Sequence, residues 1–60
     1  MKINITADID NDGRTDGSFT IETETYGFEV VEHDIQRESF DEFMGYVRDR
    51  VIEFRNSKNH

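Results

Sequence analysis

The sequence predicts an α+β fold, in which a three-stranded antiparallel sheet (a meander) precedes one C-terminal helix packed on one face, in the order βββα. Three observations predict it. Apolar and polar residues alternate through the first half, a glycine turn interrupts that alternation, and a helix-capping motif opens an amphipathic stretch in the second half. Sixty residues are enough for one small domain, 1–60, and too few for two.

Three segments have the period of two that is typical of strands, and we expect strands at about 2–7, 18–25 and 28–33. Tyr26-Gly27 supplies a turn, and short links favour a meander. The face expected to meet the helix carries Ile3, Ile5, Phe19, Ile21, Phe28 and Val30. The uncovered face is expected to carry Asn4, Thr6, Thr20, Glu22, Glu24, Glu29, Val31 and His33.

The helix is predicted over about 40–55. Ser39 and Glu42 form a capping box, in which Ser39 caps the helix and Glu42 reaches back. Residues 56–60 are expected to fray. A single apolar stripe is expected from Phe40, Phe43, Met44, Val47, Val51 and Phe54.

The net charge of −7 is concentrated in one part of the chain. Residues 1–36 hold nine acids against Lys2 and Arg14, whereas residues 37–60 hold five acids and five bases. A surface this acidic argues against direct nucleic-acid binding, which needs cations to neutralise phosphates. It favours a cation or a protein with a basic surface as the partner. The alternative is that acidity only keeps a small protein soluble.

The chain has no cysteine, which excludes disulfides and thiolate metal sites. No apolar run approaches the roughly 18 residues of a membrane span, and Met1-Lys2-Ile3-Asn4 is not typical of a signal peptide. We expect a cytoplasmic protein, in the host cytoplasm if it is phage-encoded, with no membrane partner. Because a chain this short is only marginally stable, a hard metal or a homodimer is expected to help it.

The stretch from Asp8 to Asp16 has the pattern D-x-D-x-D-G-x-x-D, which suits Ca²⁺ because that ion takes six to eight oxygen ligands. It resembles the calcium loops of EF-hand-like and integrin-type hairpin sites, although Phe19 stands where the EF-hand has a bidentate Glu. The alternative is an acidic hairpin turn built on Asp12-Gly13 and Asp16-Gly17. The candidate calcium ligands are Asp8, Asp10, Asp12, the carbonyl of Arg14, and Asp16.

The acidic strands suggest a second kind of site, a ribbon of spaced negative charge that mimics a nucleic-acid backbone. In size and charge the chain is similar to small acidic phage inhibitors of host enzymes. That resemblance implies a protein-interaction module that blocks a basic, nucleic-acid-binding surface of a host enzyme or defence protein. The candidate partner-binding residues are Glu22, Glu24, Glu29, Asp10 and Asp12.

Gly45, Tyr46 and Ile52 lie off the apolar stripe of the helix. A glycine inside a helix costs about 1 kcal/mol relative to alanine, so close approach of another helix would explain it. These residues are candidates for a homodimer contact, and a sheet edge is the alternative contact. They could equally be the docking face of a structural or accessory subunit in a larger assembly.

The sequence carries no catalytic signature, and we expect that the protein is not an enzyme. His33 lies between Glu32 and Asp34, but neighbouring side chains of a strand point to opposite faces and do not converge. No cofactor is expected apart from the candidate Ca²⁺.

Overall fold

The structure, a computed structural model, describes residues 1–58. It contains β1 (Lys2–Ile9), β2 (Thr15–Thr23), β3 (Gly27–Arg37) and α1 (Phe40–Lys58). The strands form one antiparallel sheet in the order β1-β2-β3, and α1 packs on one of its faces. The predicted βββα meander is therefore confirmed.

The hairpin between β1 and β2 is tighter than predicted. The carboxylate Oδ1 of Asp10 accepts hydrogen bonds from the amides of Asp12 and Arg14, both at 2.9 Å. The amide of Gly13 donates to the carbonyl of Asp10 at 3.1 Å, and Gly13 has a φ of 89°. A turn followed by a glycine with positive φ is a favoured hairpin connection. Because this turn is compact, the strands continue through Ile9 and Thr15, beyond the predicted limits at 7 and 18.

β3 continues to Arg37, past its predicted end near His33, because it contains irregularities that absorb extra residues. Gly17 pairs with Ile35 while Phe19 pairs with Glu32, so β3 has one more residue than β2 in this interval. Asp34 lies there with a φ of 58°, a conformation that Asp tolerates better than most residues. Beyond this bulge the ladder resumes.

A second register shift, between Ile21 and Glu22, inverts the faces at the start of β3. Phe28 pairs with Glu22 and is 62% exposed, on the side away from the helix. Glu29 instead faces the helix, where its side chain reaches Lys58. The predicted placements of Phe28 and Glu29 were therefore wrong, because one extra residue in a strand moves the following side chains to the other face.

The helix begins with the predicted cap. The hydroxyl of Ser39 accepts a hydrogen bond from the amide of Glu42 at 3.1 Å, and the carboxylate of Glu42 accepts one from the amide of Glu38 at 3.2 Å. The helix ends at Lys58, so the expected fraying of residues 56–58 was wrong; 59 and 60 lie outside the described residues. An ion pair of 2.7 Å between Lys58 and Glu29 ties the last turn to the sheet.

The core lies between the helix and the two strands β2 and β3. The expected stripe residue Phe40 is exposed, and Ile3 and Ile5 of β1 are 38% and 41% exposed rather than buried. The helix therefore leaves β1 largely uncovered, contrary to the expectation that it would cover all three strands. The buried apolar residues are Phe19, Ile21, Ile35, Phe43 and Val47.

Candidate functional site

The face of the sheet away from the helix is polar and acidic. The amide of Asn4 donates to the hydroxyl of Thr20 at 3.2 Å across the first two strands. The register that builds this face pairs Lys2 with Glu22, Asn4 with Thr20, Thr6 with Ser18 and Asp8 with Asp16. The acidic end of the face is the end next to the β1–β2 turn.

Asp8 and Asp16 lie directly opposite each other on antiparallel strands. Like charges in that position repel and destabilise the pairing. Asp34 and His33 line the same shallow depression, together with Ser18. Among residues 1–58, none of these three aspartates forms an ion pair. The uncovered face therefore carries carboxylates with which no cation of the described residues forms an ion pair.

The ion pairs of the described residues all involve the helix, on the other side of the sheet. Arg50 contacts Glu32 at 2.6 Å and Glu53 at 2.7 Å, and Lys58 contacts Glu29 at 2.7 Å. Arg48 contacts its neighbour in the helix, Asp49, at 3.3 Å. Arg48, Arg50 and Lys58 of the helix thus pair with acids on the helix side and leave Asp8, Asp16 and Asp34 without an ion pair among residues 1–58.

Glu32 is the centre of a polar cluster that the sequence analysis did not find. Its carboxylate accepts hydrogen bonds from the hydroxyl of Tyr46 and the Nε of Arg50, and the guanidinium of Arg37 lies 4.4 Å from the centre of the Tyr46 ring. Burial opposes ionisation of Glu32, but the two hydrogen bonds outweigh it and lower the pKa of this carboxyl. The hydrogen bond to Glu32 raises the pKa of Tyr46. This cluster holds the helix against β3.

No local pattern could have indicated the Glu32 cluster, because Glu32 is separated from Tyr46 and Arg50 by 14 and 18 residues. Glu32 faces the helix together with Val30, two residues before it, whereas the irregularity at Asp34 turns Ile35 inward. The one available signal was the mid-helix Tyr46 itself, since a buried tyrosine hydroxyl usually needs a polar partner.

The predicted partner-binding residues do not form one compact group. Asp10 and Asp12 lie at the β1–β2 turn, whereas Glu24 lies in the turn after β2 and Glu22 near the end of that strand. The nine residues of β2 separate these two ends by roughly 27 Å at about 3.4 Å per residue. Glu29 faces the helix, with its side chain 15% exposed, and the hydrogen bond from Lys58 lowers its pKa.

The candidate calcium ligands are also spread over different parts of the hairpin. Asp8 and Asp16 point to the uncovered face, whereas the Oδ1 of Asp10 and the carbonyl of Arg14 accept hydrogen bonds from backbone amides within the turn. Within residues 1–58, no group of three or more acidic, histidine or cysteine side chains is placed to hold a metal ion. Ca²⁺ binding by this loop stays a prediction.

The three candidate dimer residues do not share one side of the helix: Gly45 and Ile52 lie about 20° apart around its axis, and Tyr46 lies on another side. Tyr46 faces β3, whereas Ile52 lies about 120° away around the helix axis, since successive residues are 100° apart. Ile52 is 46% exposed and lines a groove with Ile3, Ile5, Met44 and Val51. Gly45 has open space where a Cβ would lie, so no contact among residues 1–58 explains this glycine.

Within the described part of the chain, the helix is not long and apolar enough to cross a membrane. Comparisons of the chain with protein-family models, with curated proteins and with solved structures give no match.

Proposed function

We propose that this chain is a protein-interaction module whose uncovered sheet face binds a basic surface of another protein, and that it acts by binding rather than by catalysis. One observation carries the proposal: the ion pairs of residues 1–58 all lie on the helix side, while Asp8, Asp16 and Asp34 have no cationic partner.

A basic partner would gain from this arrangement in two ways. A lysine or arginine placed between Asp8 and Asp16 would replace their mutual repulsion by two attractions. The negative potential of the face would also steer a positively charged partner during encounter, which raises the association rate at low salt. The exposed side chains of Phe28 and Val31 add an apolar contact region on the same sheet face, which suits the mixed character of protein interfaces.

The partner class that best matches this surface is a protein that itself binds nucleic acid. Such a protein must present cations to neutralise phosphates. A chain that binds those cations competes with the nucleic acid. The proposed function is therefore inhibition of a host enzyme or defence protein. A phage-encoded inhibitor would fit this role.

The test begins with affinity capture of the partner from a host extract, followed by titration of the purified partner at low and high salt. We expect the dissociation constant to rise at least about tenfold between roughly 0.05 and 0.3 M salt. Nucleic acid that binds the partner should displace the chain.

The matched pair of variants is Asp16→Lys and Asp49→Lys, which make the same charge change on the uncovered face and on the helix. Asp16→Lys places a cation opposite Asp8, which favours the sheet, so a loss of binding would not come from unfolding. We expect D16K to raise the dissociation constant and D49K to change it by less than about threefold, because Asp49 lies on the helix side and its exposed ion pair with Arg48 contributes little. Binding that is insensitive to salt, or equal for D16K and the wild type, would refute the proposal.

A further inference from the structure

β1 is an edge strand whose outer side is free to pair. The amide of Asp10 donates to the carbonyl of Arg14 at 3.0 Å, which identifies this as a hydrogen-bonded pair. Because bonded and non-bonded pairs alternate along antiparallel strands, the next bonded pairs are those of Asp8, Thr6 and Asn4. The backbone N–H and C=O groups that point away from β2 therefore belong to Ile3, Ile5, Ala7 and Ile9.

The two edges of the sheet differ in a way that singles out β1. The ladder between β2 and β3 contains two register shifts, and Asp34 in β3 has a positive φ. Such irregularities protect an edge from pairing with another strand. The ladder between β1 and β2 runs through eight residue pairs without a shift, and the sequence has no proline that would block the β1 edge.

An apolar groove lies beside this regular edge. Ile3 and Ile5 of β1 line it from the sheet, and the helix contributes Met44, Val47, Val51 and Ile52 together with Arg48 and Arg55. The groove exists because the Glu32 cluster holds the helix over β3, which leaves the inner face of β1 uncovered. A strand added to the β1 edge would continue the sheet beneath this groove.

We propose that β1 pairs antiparallel with β1 of a second copy of this chain, with the two-fold axis at Ile5, to form a continuous six-stranded sheet. Outward-pointing residues must then face outward-pointing residues, so Ile5 lies opposite the partner's Ile5, and Ile3 lies opposite the partner's Ala7. Paired residues of antiparallel strands share a face, so the two apolar grooves become neighbours on the helix side.

The charges on the other face are complementary in this register. Lys2 lies opposite the partner's Asp8, and this contact occurs twice because of the two-fold symmetry. Lys2 already lies opposite Glu22 of β2, so in the dimer it would lie between two acids. Moving the register by two residues toward the turn would place Lys2 opposite the partner's Asp10, whose equivalent in this chain already accepts two backbone hydrogen bonds. The register centred on Ile5 is therefore the favoured one.

This dimer is distinct from the proposed function, since it is built on the strand edge and the groove; the two share Asp8 of the acidic face, whereas Asp16 and Asp34 take no part in the dimer. The first experiment measures self-association of the full chain by sedimentation equilibrium and native mass spectrometry. We expect a dimer for the wild type and a monomer for Ile5→Lys. In the variant, two lysines would lie opposite each other at the axis with their Cα atoms about 5.5 Å apart. Val31→Lys is the matched control, because Val31 is a strand residue of similar exposure on the other face, and it should remain dimeric.

The second experiment tests the register by charge exchange. Lys2→Glu and Asp8→Lys should each weaken the dimer by about tenfold, because each places like charges opposite each other at two contacts. The double variant K2E/D8K should restore association to near the wild-type level. A substitution that acts only within one chain would change the stability of the fold. It would not restore association in the double variant.

Far-UV circular dichroism of each variant distinguishes a folded monomer from an unfolded chain. Even weak dimers form at about millimolar concentration. A wild-type chain that is monomeric there would overturn the proposal. A dimer that persists in I5K, or a K2E/D8K chain that stays monomeric, would also overturn it. So would a β1 edge that is found occupied by a strand of a different protein while the chain itself stays monomeric.

Discussion

Substitution of Gly17 by alanine tests how closely the elements of this protein approach one another. Gly17 pairs with Ala7 on one side and with Ile35 on the other, at the centre of the sheet. A Cβ at this position would lie 1.9 Å from the carbonyl oxygen of Thr6 and 2.9 Å from Cζ of Phe43. Since real Cβ contacts are essentially never shorter than 3.0 Å, the first strand would have to move by about 1 Å or more.

The cost can be worked out from these two contacts. Displacing the Thr6 carbonyl loses about 1 kcal/mol for each ladder hydrogen bond that it breaks. Crowding the buried ring of Phe43 costs a further 1–3 kcal/mol, roughly, as overpacked cores do. The sum of about 2–4 kcal/mol compares with the roughly 3–5 kcal/mol that a single small core supplies. We therefore expect the Gly17→Ala chain to lose most of its free energy of unfolding.

Gly45→Ala is the matched control, because it makes the same chemical change where nothing lies within 4 Å of the added Cβ. Alanine is favoured over glycine inside a helix by about 1 kcal/mol, so this variant should be more stable than the wild type. Urea unfolding followed by circular dichroism at one protein concentration measures both. With a slope of about 1 kcal/mol per molar urea, the midpoint should rise by about 1 M for G45A and fall by about 2–4 M for G17A.

A midpoint for G17A within about 0.5 M of the wild type would refute the close contact of Gly17 with the Thr6 carbonyl. A lower midpoint for G45A would show that another group contacts Gly45, which is the role first expected for this glycine in a dimer.

Three further predictions concern the polar contacts. Glu32→Gln should flatten the loss of stability below about pH 5. The lowered pKa of Glu32 contributes stability that is complete above the unfolded pKa near 4.5 and is lost as the pH falls through the folded value. Melting temperatures measured across this pH range test it, and a variant with the wild-type pH profile would contradict it. Ser39→Ala should lower the free energy of unfolding in urea by about 1 kcal/mol, because the helix loses its cap. Ser57→Ala should lower it by less than about 0.5 kcal/mol, and equal losses would contradict the capping role. Calcium at about 1 mM should leave the melting temperature unchanged, because the Oδ1 of Asp10 already accepts hydrogen bonds from the turn amides. A melting temperature that rises and saturates with calcium would support the calcium loop instead.

The fold class was predictable because each element has its own local signal. Alternation predicted the strands, and Ser39 with Glu42 predicted the start of the helix, where the cap is found. The limits of the strands were less predictable. Aspartates on either side of the first turn suggested a long loop, yet Asp10 itself closes a short turn and lets the ladder run through Asp8 and Asp16.

By itself, the sequence determined the order of the elements, the start of the helix and the separation of charge between the two parts of the chain, because each depends on neighbouring residues. Only the tertiary structure decided which residues of β3 face the helix. An irregularity in β3 turns Glu29 inward and Phe28 outward, whereas Glu32 faces inward together with Val30. Contacts of these acids with Tyr46, Arg50 and Lys58 then hold the helix over β3 and leave β1 uncovered. An inserted residue and partners far apart in the chain leave no periodic pattern, and for that reason the acidic face and the open strand edge emerge only when the chain is folded.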